Sequence, residues 1–210
     1  GSTTTNLTTG VDTVSAGEGD NTIGATVSAA NAAGSTLQPG DVINGGSGTD
    51  VMKLSLSGTL AAAHSISGVE MSNVEELQIN GFQTADGQDY TLDMALITGV
   101  TTLGLTSSSA SNDITISNVP SLVVVNAKNG GGDLTVTYAA TVVAGVADAQ
   151  TLNVNNYTGT VSLAGVENVT LDSSGVKSTV AALTATSMKS LTVTGDAKLT
   201  VTTAIEDGTS

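Results

Sequence analysis

The stretch GGSGTDVMK, residues 45–53, sets three glycines and an aspartate ahead of a short strand-like triplet. It fits the nonapeptide pattern G-G-x-G-x-D-x-U-x at every position, U being a large aliphatic residue. Three more nonapeptides stand in the same register: LTTGVDTVS (7–15), AGEGDNTIG (16–24) and TLQPGDVIN (36–44). Their sixth positions, with that of the first, read Asp12, Asn21, Asp41 and Asp50. The eighth positions read Val14, Ile23, Ile43 and Met52, and the fourth Gly10, Gly19, Pro39 and Gly48. A small-residue insertion, residues 25–35, separates the two pairs.

The spacing has a mechanical reading. Six glycine-rich residues make a turn that exposes carbonyls and one carboxylate, and glycine allows the positive φ such a turn needs. Three residues of strand then bury the position-eight aliphatic inside a roll. Calcium takes about six to eight oxygen ligands and accepts carbonyls and carboxylates together, so stacked turns supply them from two loops at once. The spacing therefore predicts Ca²⁺ bound by these turns, where plain turn punctuation is the simpler alternative. A phosphate loop is disfavoured, because no G-K-[ST] follows and the acids would repel phosphate.

Composition agrees with strands and tight turns. Only 2% of the 210 residues are aromatic and 11% are charged, with Thr, Ser, Ala, Val, Gly and Asn in their place. β-branched residues and glycine suit strands and turns and serve helices poorly. No apolar run approaches the length of a membrane span. The 19 acids face five lysines, for a net charge of −14. That charge repels nucleic acid and anionic lipid and attracts cations. With no cysteine there is no disulfide or thiolate chemistry. The chain opens on Gly1-Ser2 and shows no signal peptide, so residues 1–6 read as a cloning scar and linker on a piece of a longer protein.

Beyond residue 53 a looser repeat takes over, built on G-V-x-x-[LV]-x-[LIV]: NVEELQI (73–79), GVTTLGL (99–105), NVPSLVV (118–124), GVENVTL (165–171) and SMKSLTV (187–193). Second strands lie between them, DITIS (113–117), DLTVT (133–137), TVSLA (160–164) and KLTVT (198–202). A period of roughly 17–30 residues is that of one coil of a β-solenoid. Coils stacked about 4.8 Å apart would bury the inward Leu, Val and Ile in one narrow core, where large aromatics fit badly. QDYTLDMALITG (88–99) has a short helix as its minority alternative. The expected fold is all-β, a parallel β-helix or β-roll, with calcium-binding turns over 7–53 and continuous solenoid coils over 54–210.

These residues resemble a known family. LTTGVDTV, GDNTI and GDVINGGSGTDVMKL are similar to calcium-binding segments of bacterial surface-layer proteins of the RTX, type I-secreted kind, and SGVEMSNVEELQI, LAGVENVTL and LTATSMKSLTVTGDAKLTVT to the solenoid segments that follow in those proteins. The resemblance implies a right-handed parallel β-helix or β-roll, in a secreted, non-enzymatic segment that binds Ca²⁺ to fold and self-associates into a two-dimensional lattice on the cell surface. Contact with envelope glycan or lipopolysaccharide would lie in parts outside this chain. It carries the calcium positions over to Asp12, Asp41 and Asp50 as side-chain ligands. Gly46 and Gly48, with Gly17 and Gly19 in the weaker turn, become carbonyl donors. The family commonly has Asn then Asp in the second turn, where this chain has Asp20-Asn21. Asp20 is therefore expected to point away, or Asn21 to ligate through its amide oxygen.

Other candidates have plainer readings. His64 has no second His or Cys with which to hold zinc, and reads as a surface or packing histidine. Glu70, Glu75 and Glu76 could suggest a hydrolytic carboxylate pair, but adjacent Glu75 and Glu76 in a strand face opposite ways. Thr135/Thr137, Thr192/Thr194 and Thr200/Thr202 could form ice-binding ranks, or be ordinary outward strand residues. Asp113, Asp133 and Asp196 each precede a strand and read as turn caps, with a further bridging Ca²⁺ as the alternative. An adhesin or ice-binding module, and behind it a polysaccharide-degrading β-helix, are the other functions a solenoid of this kind could serve.

Overall fold

The computed structural model describes residues 1–28, 34–57, 63–81 and 89–205. Its strands alternate inward apolar and outward polar residues, and every strand pair is parallel, which stacks the chain as a β-solenoid. The first wall is a nine-stranded sheet in chain order: β1 (Thr4–Asn6), β3 (Thr22–Ser28), β5 (Val51–Ser57), β8 (Glu76–Gly81), β10 (Thr102–Ser108), β12 (Val124–Gly130), β14 (Ala149–Tyr157), β16 (Asn168–Ser173) and β19 (Ser190–Thr194). The second wall has six strands: β6 (His64–Ile66), β9 (Tyr90–Asp93), β11 (Ile114–Val119), β13 (Leu134–Tyr138), β15 (Thr160–Leu163) and β18 (Ala182–Thr184). Two shorter sheets complete the coils, one of β2 (Thr13–Ser15), β4 (Val42–Asn44) and β7 (Glu70–Ser72), the other of β17 (Ser178–Val180) and β20 (Leu199–Val201).

Inward side chains line up from coil to coil. Ile23, Met52, Leu77, Leu103, Val125, Leu152 and Leu171 follow one another in register down the first wall. Ile66, Leu92, Ile116, Val136 and Leu163 do so down the second. All of these are buried. Fully burying an aliphatic side chain of this size is worth about 1.5–3 kcal/mol, and here each also packs on the coils above and below. Most of the looser repeats divide between the walls: NVEELQI, GVTTLGL, GVENVTL and SMKSLTV supply β8, β10, β16 and β19, and DITIS, DLTVT and TVSLA supply β11, β13 and β15. NVPSLVV instead ends β11 and reaches β12 only at Val124, and KLTVT supplies β20 of the two-stranded sheet.

The structure departs from expectation in several places. Thr4–Asn6, read as linker, is the first rung of the nine-stranded sheet and pairs with Thr22–Gly24. The helical alternative at 88–99 gives way to β9 and a turn over its described residues, 89–99. All three tyrosines, Tyr90, Tyr138 and Tyr157, lie in the core, although a narrow core was expected to exclude large rings. Glycine makes the room for Tyr157: a Cβ on Gly159 would lie 2.5 Å from its hydroxyl. That hydroxyl sits 2.7 Å from the Gly132 carbonyl and 2.9 Å from that of Thr160, and can donate to either. Burial raises the Tyr138 hydroxyl pKa to about 12 and the Tyr157 pKa further still, the latter helped by nearby Asp133 and Asp113. Phe82 lies outside the described residues.

Strand β14 has no counterpart in the sequence repeats. Gln150 holds the place that Val169 holds in β16, so the apolar pattern is broken at its first inward position. The residue is nonetheless buried, and its Nε2 lies 3.4 Å from the Val123 carbonyl.

Candidate metal centre

The four nonapeptides fold as two stacked pairs. Copy one lies against copy three, with Val14 beside Ile43, and copy two against copy four, with Ile23 beside Met52. Each partner is 29 residues on, because residues 25–35 lengthen the coil beyond two nonapeptides. Ile23, Ile43 and Met52 are buried as expected, and Val14 is partly so. The nine candidate ligands therefore divide between two corners. Asp12 and Asp41 stand at one; Gly17, Gly19, Asp20, Asn21, Gly46, Gly48 and Asp50 stand at the other.

At the first corner the carboxylates are fully engaged. Asp12 accepts from the Thr8 N–H and hydroxyl at 2.8 and 2.9 Å. Buried Asp41 accepts the Asp12 N–H through Oδ1 at 2.8 Å and the Gln38 N–H through Oδ2 at 2.7 Å. Both oxygens of a desolvated carboxylate thus meet donors, as a buried charge requires.

The second corner carries a ladder between coils. The Thr3 N–H donates to Asn21 Oδ1, the Asn21 N–H to Asp50 Oδ1, and the Asp50 N–H to Glu75 Oε2, at 2.9, 2.7 and 2.7 Å. Further along, the Asp148 N–H donates to Glu167 Oε2 at 2.9 Å. In each step a side chain from the following coil satisfies a corner N–H that no strand partner reaches. From spacing, Asn21 and Asp50 read as metal ligands, Glu75 as one of a carboxylate pair and Glu167 as nothing in particular, and this capping role was missed. The available signal was an acid or amide set one or two residues before each alternating strand.

Two position-six residues in this stack then differ in one atom. The Asn21 Nδ2 group faces the carbonyls of Gly19, Gly45 and Gly17 at 2.6, 3.1 and 3.5 Å. Its amide nitrogen, and not the expected oxygen, thus points into the turn. Asp50 takes the same place one coil on, and its Oδ2 is buried without a hydrogen-bond partner. A Cβ on Gly45 would come 2.6 Å from that oxygen and would overlap the Asn73 carbonyl, so both oxygens lie beside Gly45. Asp20 is exposed, yet its carboxylate accepts the Thr49 N–H at 2.8 Å, tying the two turns together.

No group of three or more His, Cys, Asp or Glu side chains suited to a metal ion occurs among the described residues. A calcium site at this corner would be one carboxylate oxygen and a set of carbonyls, which is chemistry Ca²⁺ accepts. Asp50 Oδ2 and the Asn73 carbonyl, both beside Gly45, supply two oxygens of that kind. An unpaired anionic oxygen beside a carbonyl, out of water, calls for positive charge. Asp148 Oδ2 is the other buried carboxylate oxygen without a partner among the described residues.

The remaining candidates do not assemble into sites. His64 is half-buried at the start of β6, its backbone N–H donating to the Asp89 carbonyl. Glu75 caps Asp50, Glu76 accepts from Gln78 Nε2 at 2.9 Å, and Glu70 is exposed on β7. The three Thr-x-Thr pairs belong to three different sheets. The second wall does carry one hydroxyl rank in register, Ser65, Thr91, Thr115, Thr135, Ser162 and Thr184, but the neighbouring rank sets Asp93 beside Ser117.

Asp113 and Asp133 stack before β11 and β13, the Asp133 N–H donating to Asp113 Oδ1 at 3.1 Å; Asp196 stands elsewhere, 3.4 Å from the Gly175 N–H. Burial raises the Asp113 pKa; the Asp133 N–H offsets part of this, and the charges of Asp133 and Asp89 add to it. A carboxyl whose pKa is raised on folding weakens the fold once it is ionised. Asp113→Asn keeps the acceptor oxygen and is expected to raise the melting temperature at pH 7. The gain should shrink as pH falls through the carboxyl range, because protonated Asp113 no longer carries the cost. A gain unchanged between pH 7 and pH 3 would rule out charge as its cause.

In comparisons with protein families, with curated protein sequences and with solved structures, nothing matches this chain.

Proposed function

We propose that this chain is a non-enzymatic, calcium-stabilised β-solenoid segment of a secreted cell-surface layer, which binds Ca²⁺ to fold and then self-associates into a lattice. The observation that carries the reading is the buried, partnerless Asp50 Oδ2 at a glycine-turn corner of a chain with net charge −14. The residues and spacing that resemble RTX surface-layer segments supply the biological setting. A cation at Asp50 would neutralise the carboxylate and bind the corner carbonyls to it. Because the unfolded chain has no such corner, the binding free energy is folding free energy. At low cytosolic calcium the chain stays loose and exportable; at millimolar external calcium it folds and assembles.

Thermal unfolding in millimolar Ca²⁺ and again in chelator tests this. One ion present at 100 times its dissociation constant contributes about 2.7 kcal/mol. For a chain of this size that is a rise of roughly 5–10 °C in melting temperature. Equal melting temperatures in the two buffers would overturn the calcium reading. Ordered sheets in electron micrographs after calcium addition would support assembly, and monodisperse monomer at all calcium concentrations would remove it.

A further inference from the structure

We propose that the Asn21 carboxamide takes the place of a cation in the first glycine turn, so that this turn is closed without metal and only its successor at Asp50 calls for an ion. Three carbonyls that a calcium ion would otherwise gather, those of Gly17, Gly19 and Gly45, converge on Asn21 Nδ2. Nδ2 lies 2.6 Å from the Gly19 carbonyl and 3.1 Å from that of Gly45, one for each of its hydrogens, with Gly17 at the edge of reach at 3.5 Å. The amide cannot turn over, because its oxygen already accepts the Thr3 N–H and hydroxyl at 2.9 and 2.8 Å. Reversal would lose both bonds and set an oxygen against three carbonyls. Asn21 is 2% exposed, so no water competes for the cage.

One coil on, the same corner is built around a carboxylate. There the atom corresponding to Asn21 Nδ2 is Asp50 Oδ2, an acceptor with no donor. The exchange of NH₂ for O⁻ at this position separates a turn whose amide meets its own carbonyls from one whose buried oxygen has no donor. The swapped Asp20-Asn21 order has a consequence of its own: Asp20, displaced to the exposed position, caps the Thr49 N–H of the next turn.

The inference rests on the calcium reading only for its contrast with Asp50, and Asn21→Asp in the full chain separates the two. The variant is expected to melt below the parent chain in chelator, to recover in millimolar Ca²⁺, and to bind one more calcium per chain by titration calorimetry. An unchanged calcium-to-protein ratio, or a variant that stays unfolded at saturating calcium, would count against the proposal. A parent chain that binds no calcium while Asn21→Asp binds one would overturn the Asp50 reading and leave this one standing. The unaltered chain supplies a second measurement. Its Asn21 side-chain amide protons should exchange slowly by NMR in chelator and stay protected when calcium is added; exchange at the rate of an exposed amide, or protection lost on calcium addition, would refute the proposal.

Discussion

Asp50→Asn is expected to melt higher than the parent chain in chelator and to lose the response to calcium. The substitution leaves Oδ1 to accept the Asn21 N–H and replaces the partnerless Oδ2 with an NH₂ group facing oxygen. It therefore copies at the second turn what Asn21 does at the first. Removing an unsatisfied buried polar group relieves about 1–3 kcal/mol, and more when the group is charged. That is a rise of several degrees in chelator by the usual conversion for a chain of this length. Asp50→Ala makes the contrast, since it removes the charge and also orphans the Asn21 N–H. It should melt below Asp50→Asn in both buffers and be equally indifferent to calcium. If both variants instead lose the same stability with and without calcium, Asp50 is a backbone cap and no metal ligand.

The second large effect is expected at Gly46. Its φ is +99°, and a Cβ there would run into the Gly17 carbonyl of the coil before. That carbonyl accepts the Ser47 N–H at 3.1 Å, and the Gly19 N–H in turn donates to the Ser47 carbonyl at 2.7 Å. Gly46→Ala must therefore part the two turns, losing both bonds and disturbing the corner that holds Asn21 and Asp50. Backbone strain at a positive φ costs on the order of 1–3 kcal/mol, and overpacking a close contact adds about as much again. Gly17→Ala is the control: φ is +88°, yet nothing lies within 4 Å of the added Cβ. Urea unfolding should show Gly46→Ala losing at least twice the stability that Gly17→Ala loses. Equal losses would mean that the turns do not stack as described.

Much of the architecture was legible because strand alternation and solenoid stacking are both periodic in sequence. Ile23, Ile43 and Met52 fall inward at position eight of the nonapeptide. NVEELQI, GVTTLGL and GVENVTL join one wall because each repeats an inward pair, Leu77 with Ile79, Leu103 with Leu105 and Val169 with Leu171. At NVPSLVV the buried pair is Val123 and Val125, one place off that pattern. Legibility failed where a polar residue took an inward place, as Gln150 does in β14. It failed again at Thr4–Asn6, too short for a pattern and held in place by pairing with β3. The tyrosines were misjudged because composition reports how many rings there are and says nothing of the glycines stacked beside them, such as Gly159.

The candidate site divides the same way. By itself the sequence determined which residues stand at position six, where the glycines that permit close turns lie, and that negative charge would gather at the corners. Those follow from residue type and spacing along one coil. Only the tertiary structure decided that Asp12 and Asp41 satisfy themselves on N–H groups, that Asn21 turns its nitrogen toward three carbonyls, and that Asp50 is left with a buried oxygen unmet. The physical reason is that, beside local partners such as Thr8 for Asp12 and Gln38 for Asp41, each of Asp41, Asp50 and Asn21 also meets a group 24 or 29 residues away, in an adjacent coil. Whether a corner carboxylate caps the backbone or calls for a cation depends on which donors that coil brings within about 3 Å, and no local spacing encodes it.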